Sequence, residues 1–125
     1  MDQRREVVMD NAAYSQLIVW QKAMELVDLV YDAMRHFPAD ERFRLRDQLS
    51  RAVVSIPSNI AEGNGRGSRA DYAHFLCIAR GSLYETMTQL EIARRQGYIA
   101  SVETFQVLGE EIRKMLSSMI AKLSH

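Results

Sequence analysis

From Leu17 onward, apolar residues fall at alternating steps of three and four: Leu17, Trp20, Met24, Val27, Tyr31 and Met34. A second seam runs beside the first through Ala23, Leu26, Val30, Ala33 and Phe37. Residues three and four apart share one face of an α-helix, so this spacing predicts an amphipathic helix. Two adjacent seams make a stripe wide enough to touch two neighbouring helices, which suits a bundle better than a two-stranded coiled coil. Pro38 closes the helix, because the residue before a proline avoids the α region.

Three more segments repeat the pattern. Over about residues 41–62, Leu45, Leu49, Ala52, Val53, Ile56 and Ile60 share a face, and the glycines at 63, 65 and 67 are expected to end that helix. Ser68 with Asp71 three residues on resembles a capping box and predicts the start of a third helix. This helix places Tyr72, Leu76, Ala79, Leu83, Leu90 and Ala93 on one face, with Phe75 and Ile78 flanking. Gly97 stands where a left-handed C-terminal residue is expected. Ser101 is read as the cap of a fourth helix holding Phe105, Leu108, Ile112, Met115, Leu116, Met119 and Leu123. No useful stretch alternates with period two. Four helices joined by short loops predict an all-α, up-down-up-down antiparallel four-helix bundle over residues 15–125. Residues 1–14 are left as a polar N-terminal extension.

Residues 48–67 break the pattern of simple core filling. Gln48, Arg51, Ser55, Asn59 and Glu62 stand one turn apart beside the apolar face, and Pro57 falls in mid-helix. A proline there removes one backbone donor and crowds the carbonyl of Val53, so a kink is expected. Ser55 and Ser58 are placed to bond the freed groups.

A chain of 125 residues with 47% hydrophobic and 26% charged side chains is a single folded domain rather than a disordered one. Sixteen basic residues balance sixteen acidic ones, so no global field draws the chain to nucleic acid or a membrane. Thirteen of the cations are arginine, the side chain suited to bidentate contact with carboxylate or phosphate. Cys77 is the sole cysteine, which removes an internal disulfide framework and points to a reducing compartment. The N-terminus carries no secretory h-region, and no apolar run nears the roughly 20 residues that span a bilayer. A cytoplasmic protein without a membrane partner is the expectation.

Candidate chemistry thins out on inspection. Gly63-Asn64-Gly65-Arg66-Gly67 lacks the preceding strand and the Gly-Lys-Ser/Thr ending that a phosphate loop needs, and reads as an interhelical turn. Asp71 and His74 approach one half of a di-iron ligand set, which would require two Glu-x-x-His pairs and further glutamates. Cys77 inside a helical run reads as a small buried hydrophobe. Glu62 and Glu85 are better explained as partners of Arg51, Arg66 or Arg80 than as an acid/base pair. No catalytic residue, metal or cofactor is assigned. Residues 42–69 hold six arginines against two carboxylates, a local excess that can meet phosphates, although Phe43 is the one aromatic ring in the stretch.

One family's pattern is visible in these residues. Trp20 to Ala23, Phe37-Pro38 with Glu41, and Gln48-Leu49 with Arg51-Ala52 are part of it. So are Ser55 to Gly63, Arg66, Phe75-Leu76, Ala79 to Ser82 and Glu85. Together they resemble the four-helix-bundle family named for proteins encoded in intervening sequences of bacterial 23S ribosomal RNA genes, over about residues 15–123. The resemblance implies a ring-like homopentamer with no enzymatic activity. It also implies kinship with the accessory variability proteins of diversity-generating retroelements, which bind nucleic acid and a reverse transcriptase through a basic surface. The expectation is therefore a homo-oligomeric bundle in which Gln48, Arg51, Ser55, Asn59, Glu62, Arg80, Ser82 and Glu85 organise interhelix or subunit packing, with Gly81 allowing close helix approach. The alternative is an RNA- or DNA-binding accessory module that uses Arg42, Arg44, Arg46, Arg66 and Arg69, weak per subunit and strengthened by repetition around an oligomer.

Overall fold

Each apolar pattern becomes a helix. The structure, a computed structural model, describes residues 13–124. A 3-10 turn at Ala13–Gln16 leads into α1 (Ile18–Met34), α2 (Leu45–Asn64), α3 (Arg69–Arg95) and α4 (Glu103–Leu123), and a second 3-10 turn covers Ala39–Glu41. No strand occurs among the described residues. Successive helices pack side by side and α4 returns against α1, which makes an antiparallel four-helix bundle. Of the expected N-terminal extension, Ala13 and Tyr14 belong to the first 3-10 turn, and residues 1–12 lie outside the described residues. So does His125.

The core is filled from all four helices. Val19, Ala23, Leu26 and Val30 of α1 meet Leu49, Val53, Ile56 and Ile60 of α2, Leu76, Leu83 and Leu90 of α3, and Phe105, Ile112 and Leu116 of α4. The two seams of α1 part company. Val19, Ala23, Leu26 and Val30 are buried, whereas Met24 and Tyr31 of the first seam are exposed and Trp20 and Val27 are half-buried.

The helix ends follow local chemistry. Ser68 Oγ accepts the Asp71 backbone N–H at 3.0 Å, so the expected cap forms. Gly97, at φ +82, ends α3. Its N–H bonds the Arg94 carbonyl and that of Tyr98 bonds the Ala93 carbonyl, both at 2.9 Å, the paired closure of a Schellman motif. At α4 the cap is displaced by one residue: Val102 occupies the N-cap position, while Ser101 Oγ accepts the Glu103 N–H at 3.1 Å.

Two boundaries differ from the expectation. Helix α2 starts at Leu45 rather than near 41, because Glu41 belongs to the 3-10 turn and its carboxylate accepts the Leu45 N–H at 3.4 Å. It also runs to Asn64, with Gly63 buried inside it. A Cβ on Gly63 would stand 2.8 Å from the Phe75 Cβ, so this glycine admits α3 rather than ending α2. The left-handed turn residue is Gly67, at φ +85. Gly81, expected to allow close approach, has nothing within 4 Å of a built Cβ. The close contact from α4 is made at Gly109, where an added Cβ would stand 3.1 Å from the Met87 sulfur. Cys77, expected to be buried, is exposed on α3.

Candidate functional site

Along α2, the polar row lies at the edge of the buried stripe, and α3 covers it only in part. Ser55 Oγ and Ser82 Oγ stand 2.8 Å apart across the two helices, and either hydroxyl can donate. Asn59 Nδ2 donates to both Ser55 O and Ser55 Oγ at 2.8 Å. Ser58 Oγ donates to the Val54 carbonyl at 2.8 Å. These bonds flank Pro57 but go to the Val54 and Ser55 carbonyls, whereas the carbonyl that the missing N–H leaves open is that of Val53, so the expected bonding of the freed group by Ser55 and Ser58 does not form. On α3, Thr86 Oγ1 bonds the Ser82 carbonyl at 2.8 Å, and Gln89 is buried with its Oε1 unpartnered among the described residues. Thr86 and Gln89 escape the sequence reading, although Ser82, Thr86 and Gln89 recur at steps of four and three on one face.

The remaining members of the row go elsewhere. Gln48 is exposed. Arg51 Nε pairs with Asp47 at 3.2 Å, one turn earlier on α2. Glu62 pairs with Arg66 at 3.3 Å, and the same guanidinium reaches Asp71 at 3.7 Å and lies 5.3 Å from the centre of the Phe75 ring. Arg80 turns to the opposite side of α3 and donates to Ser117 Oγ of α4 at 3.1 Å. Glu85 is exposed and has no ion pair among the described residues. Glu62 and Glu85 do not converge. Ser55 faces Ser82, so in antiparallel helices the two carboxylates lie about ten residues apart along the axis, about 15 Å at the helical rise. His74 is exposed, its ring edge-on to Phe75 at 5.4 Å between centroids. No group of three His, Cys, Asp or Glu side chains suited to a metal occurs among the described residues.

The arginines of residues 42–69 separate into two groups. Arg42, Arg44 and Arg46 gather where α2 begins, whereas Arg66 and Arg69 stand beyond its other end, about 30 Å away along a helix of this length. Arg69 Nη2 donates to the Lys122 carbonyl at 2.6 Å, which ties it to the end of α4. No carboxylate lies within ion-pairing distance of Arg42, Arg44 or Arg46 among the described residues.

These three side chains ride on a braced turn. Glu41 accepts a 2.6 Å bond from the Tyr98 hydroxyl as well as the Leu45 N–H, and Phe37 packs against the Tyr98 ring at 5.4 Å. The hydrogen bond from Tyr98 holds the Glu41 carboxyl below its usual range, and the same bond pushes the phenol up.

Between α1 and α2 runs an open groove of two characters. Near the chain start, a hollow of about 340 Å³ is walled by Trp20, Met24, Val27, Val54, Pro57 and Ala61. Toward the 39–44 turn, a cleft of about 480 Å³ is walled by Tyr31, Met34, Arg42, Phe43 and Arg46. On the opposite side of the bundle, between α3 and α4, lies a third hollow of about 370 Å³ with Leu83, Tyr84, Met87 and Gly109 on its walls. It is rimmed by the Glu110–Arg113 pair at 2.6 Å, and Glu91, held by Arg94 and Arg95 at 2.8 and 2.9 Å, lies farther along α3. Those two guanidinium groups, Arg94 foremost, bring the Glu91 carboxyl down to about 2.

A family model described as 23S rRNA-intervening sequence protein matches residues 15–118. Among solved structures, the chain is similar to a protein of unknown function from the S23 ribosomal protein family of Bacteroides thetaiotaomicron. The two share 30% sequence identity with a TM-score of 0.72, over 82% of this chain and 98% of the other. No curated protein matches the sequence.

Proposed function

This chain belongs to the 23S rRNA-intervening sequence protein family, and from that premise we propose that it is a non-enzymatic, homo-oligomeric bundle of the cytoplasm, assembled as a ring of five copies. The observation behind this reading is the bare seam of α1. Trp20, Met24 and Val27 follow the same spacing as the core seam, yet they line an open hollow against Val54 and Pro57 of α2. A contiguous exposed apolar strip is the usual mark of a protein contact. The α3–α4 hollow on the other side supplies a second apolar face. The Ser55–Ser82–Asn59 bonds then act inside each protomer, where they set the register of α2 against α3.

Native mass spectrometry at micromolar concentration tests the assembly. The expected species is a pentamer, and a double variant, Met24→Lys with Val54→Lys, is expected to yield a folded monomer. A wild-type chain that is monomeric under those conditions overturns the reading.

A second role, as a nucleic-acid-binding accessory module, is favoured by the three arginines at the start of α2, none of which forms an ion pair among the described residues. It predicts an affinity whose logarithm falls linearly with the logarithm of salt concentration. Binding to structured RNA that ignores salt, or none at low salt, counts against it.

A further inference from the structure

The cleft at the 39–44 turn differs from the rest of the α1–α2 groove. Phe43 is 84% exposed, the most open of the large hydrophobic side chains, and Tyr31 contributes a second ring at 45%. Sequence distance hides their meeting, since Tyr31 belongs to α1 and Phe43 to the connection that follows it. The Arg42 guanidinium lies 5.4 Å from the centre of the Phe43 ring, and Arg46 reaches the same cleft from the first turn of α2. Two exposed rings with two unpaired guanidinium groups are the parts of a stacking platform, where flat apolar faces meet a base and cations meet its phosphate.

From this juxtaposition we infer that the cleft takes an unpaired nucleotide, its base laid against Tyr31 and Phe43 and its phosphate against Arg42 and Arg46. The inference rests on the nucleic-acid reading above and narrows it to single strands. A volume of about 480 Å³ is ample for one base with its sugar. Duplexes hide their base faces within the stack, so neither ring can be used on them. Charge argues against a second copy of the chain as occupant. Burying Arg42 and Arg46 demands carboxylates, and Glu91 and Glu110 of the α3–α4 face already hold arginines of their own. Asp47 also borders the cleft but is drawn off by Arg51, and the Ser50 hydroxyl is turned to the Asp47 carbonyl at 2.8 Å.

Fluorescence anisotropy on the full chain tests the inference, with a labelled single strand of about twelve nucleotides, a site size in the usual range for single-strand binders. The same sequence as a duplex and adenosine monophosphate as a competitor complete the set. Single strands are expected to bind at least about tenfold more tightly than the duplex. Phe43→Ala and Tyr31→Ala should each weaken single-strand binding about tenfold, and Phe43→Trp should restore it. Arg46→Ala should weaken binding and flatten the salt slope. Competition by the monophosphate at low concentration identifies free nucleotides as the source, and competition only by strands identifies a polymer; both outcomes support the cleft. Equal affinity for duplex and single strand, or unchanged binding in Phe43→Ala, overturns this inference and leaves the broader nucleic-acid reading standing. No binding of any of the three overturns both. Phe43 is so exposed that its substitution leaves the fold intact, which circular dichroism verifies.

Discussion

Three glycines show how little a residue's identity says without its surroundings. Gly63 and Gly97 look like punctuation in the sequence and Gly81 like a point of close helix approach, but only Gly97 has the positive φ that favours glycine. Gly63 is helical and pressed against α3, so Gly63→Ala forces a Cβ to within 2.8 Å of the Phe75 Cβ. Overpacking of that kind costs about 1–3 kcal/mol, and urea unfolding should register a loss in that range. Gly81 is helical, exposed and uncrowded, so Gly81→Ala should raise stability by about 0.5–1 kcal/mol through helix propensity. A loss at Gly81 instead would mean that another copy of the chain packs there. Periodicity could not separate these cases, because a glycine adds nothing to an apolar pattern and its contacts come from a distant helix. Cys77 eluded the sequence for a related reason: a small residue in an amphipathic run is compatible with either face.

At the scale of elements, the caps were legible and the connections were not. Ser68 and Gly97 act through backbone geometry within a few residues, which a local reading can capture. The start of α2 depends on Glu41, whose carboxylate is shared between Leu45 and Tyr98, a partner 57 positions away. The polar row of α2 was legible as a row, but which members meet α3 was not, because that depends on how closely the helices pass at each turn. Among the row's members Ser55 bonds α3, and Asn59 holds Ser55 from within α2. A double-mutant cycle on Ser55→Ala and Ser82→Ala should give a coupling of about 0.5–1 kcal/mol by thermal or urea unfolding. Ser55→Ala should be the costlier single change, since it also removes one acceptor of the Asn59 amide. Additive losses would show that the hydroxyl pair contributes nothing to register.

Surface carboxylates also make stability depend on pH. Glu41 and Glu110 titrate below their ordinary range in the folded chain, through Tyr98 and Arg113 respectively, and Glu91 falls to about 2. A carboxyl with a depressed folded pKa stabilises fully above its unfolded value, and the contribution drains away as pH falls through the folded value. The melting temperature should therefore decline as pH drops from about 5 toward about 2, with Glu91 the last of the three to lose its charge. These groups lie at the surface, where solvent and salt screen them, so the decline should shrink as ionic strength rises. Glu91→Gln should flatten the most acidic part of the curve. A slope there unchanged by this substitution would remove the Glu91 pairs from the account.

The bundle as a whole was the most legible feature, because four amphipathic stripes of similar length leave few other ways to bury themselves. What the stripes could not reveal is which seam stays bare, since Trp20, Met24, Val27 and Tyr31 obey the same rule as the buried seam beside them. The arrangement of helices decides it, and leaves apolar hollows between α1 and α2 and, on the opposite side, between α3 and α4, with another between α1 and α4 walled by Leu17, Ile18, Met115 and Met119. Pairing of two unlike faces gives head-to-tail association, which closes into a ring when the rotation between copies closes and otherwise grows as a filament, whereas one self-complementary face would stop at a dimer. Mixing variants separates the two geometries. Take one chain with Met24→Lys and Val54→Lys, and another with Tyr84→Lys and Met87→Lys. In a head-to-tail ring each variant alone is monomeric, but the first keeps an intact α3–α4 face and the second an intact α1–α2 face. An equimolar mixture should then form a one-to-one heterodimer by native mass spectrometry and grow no further. If the contact is instead self-complementary across α1–α2, the second variant should assemble alone and the mixture should gain no new species.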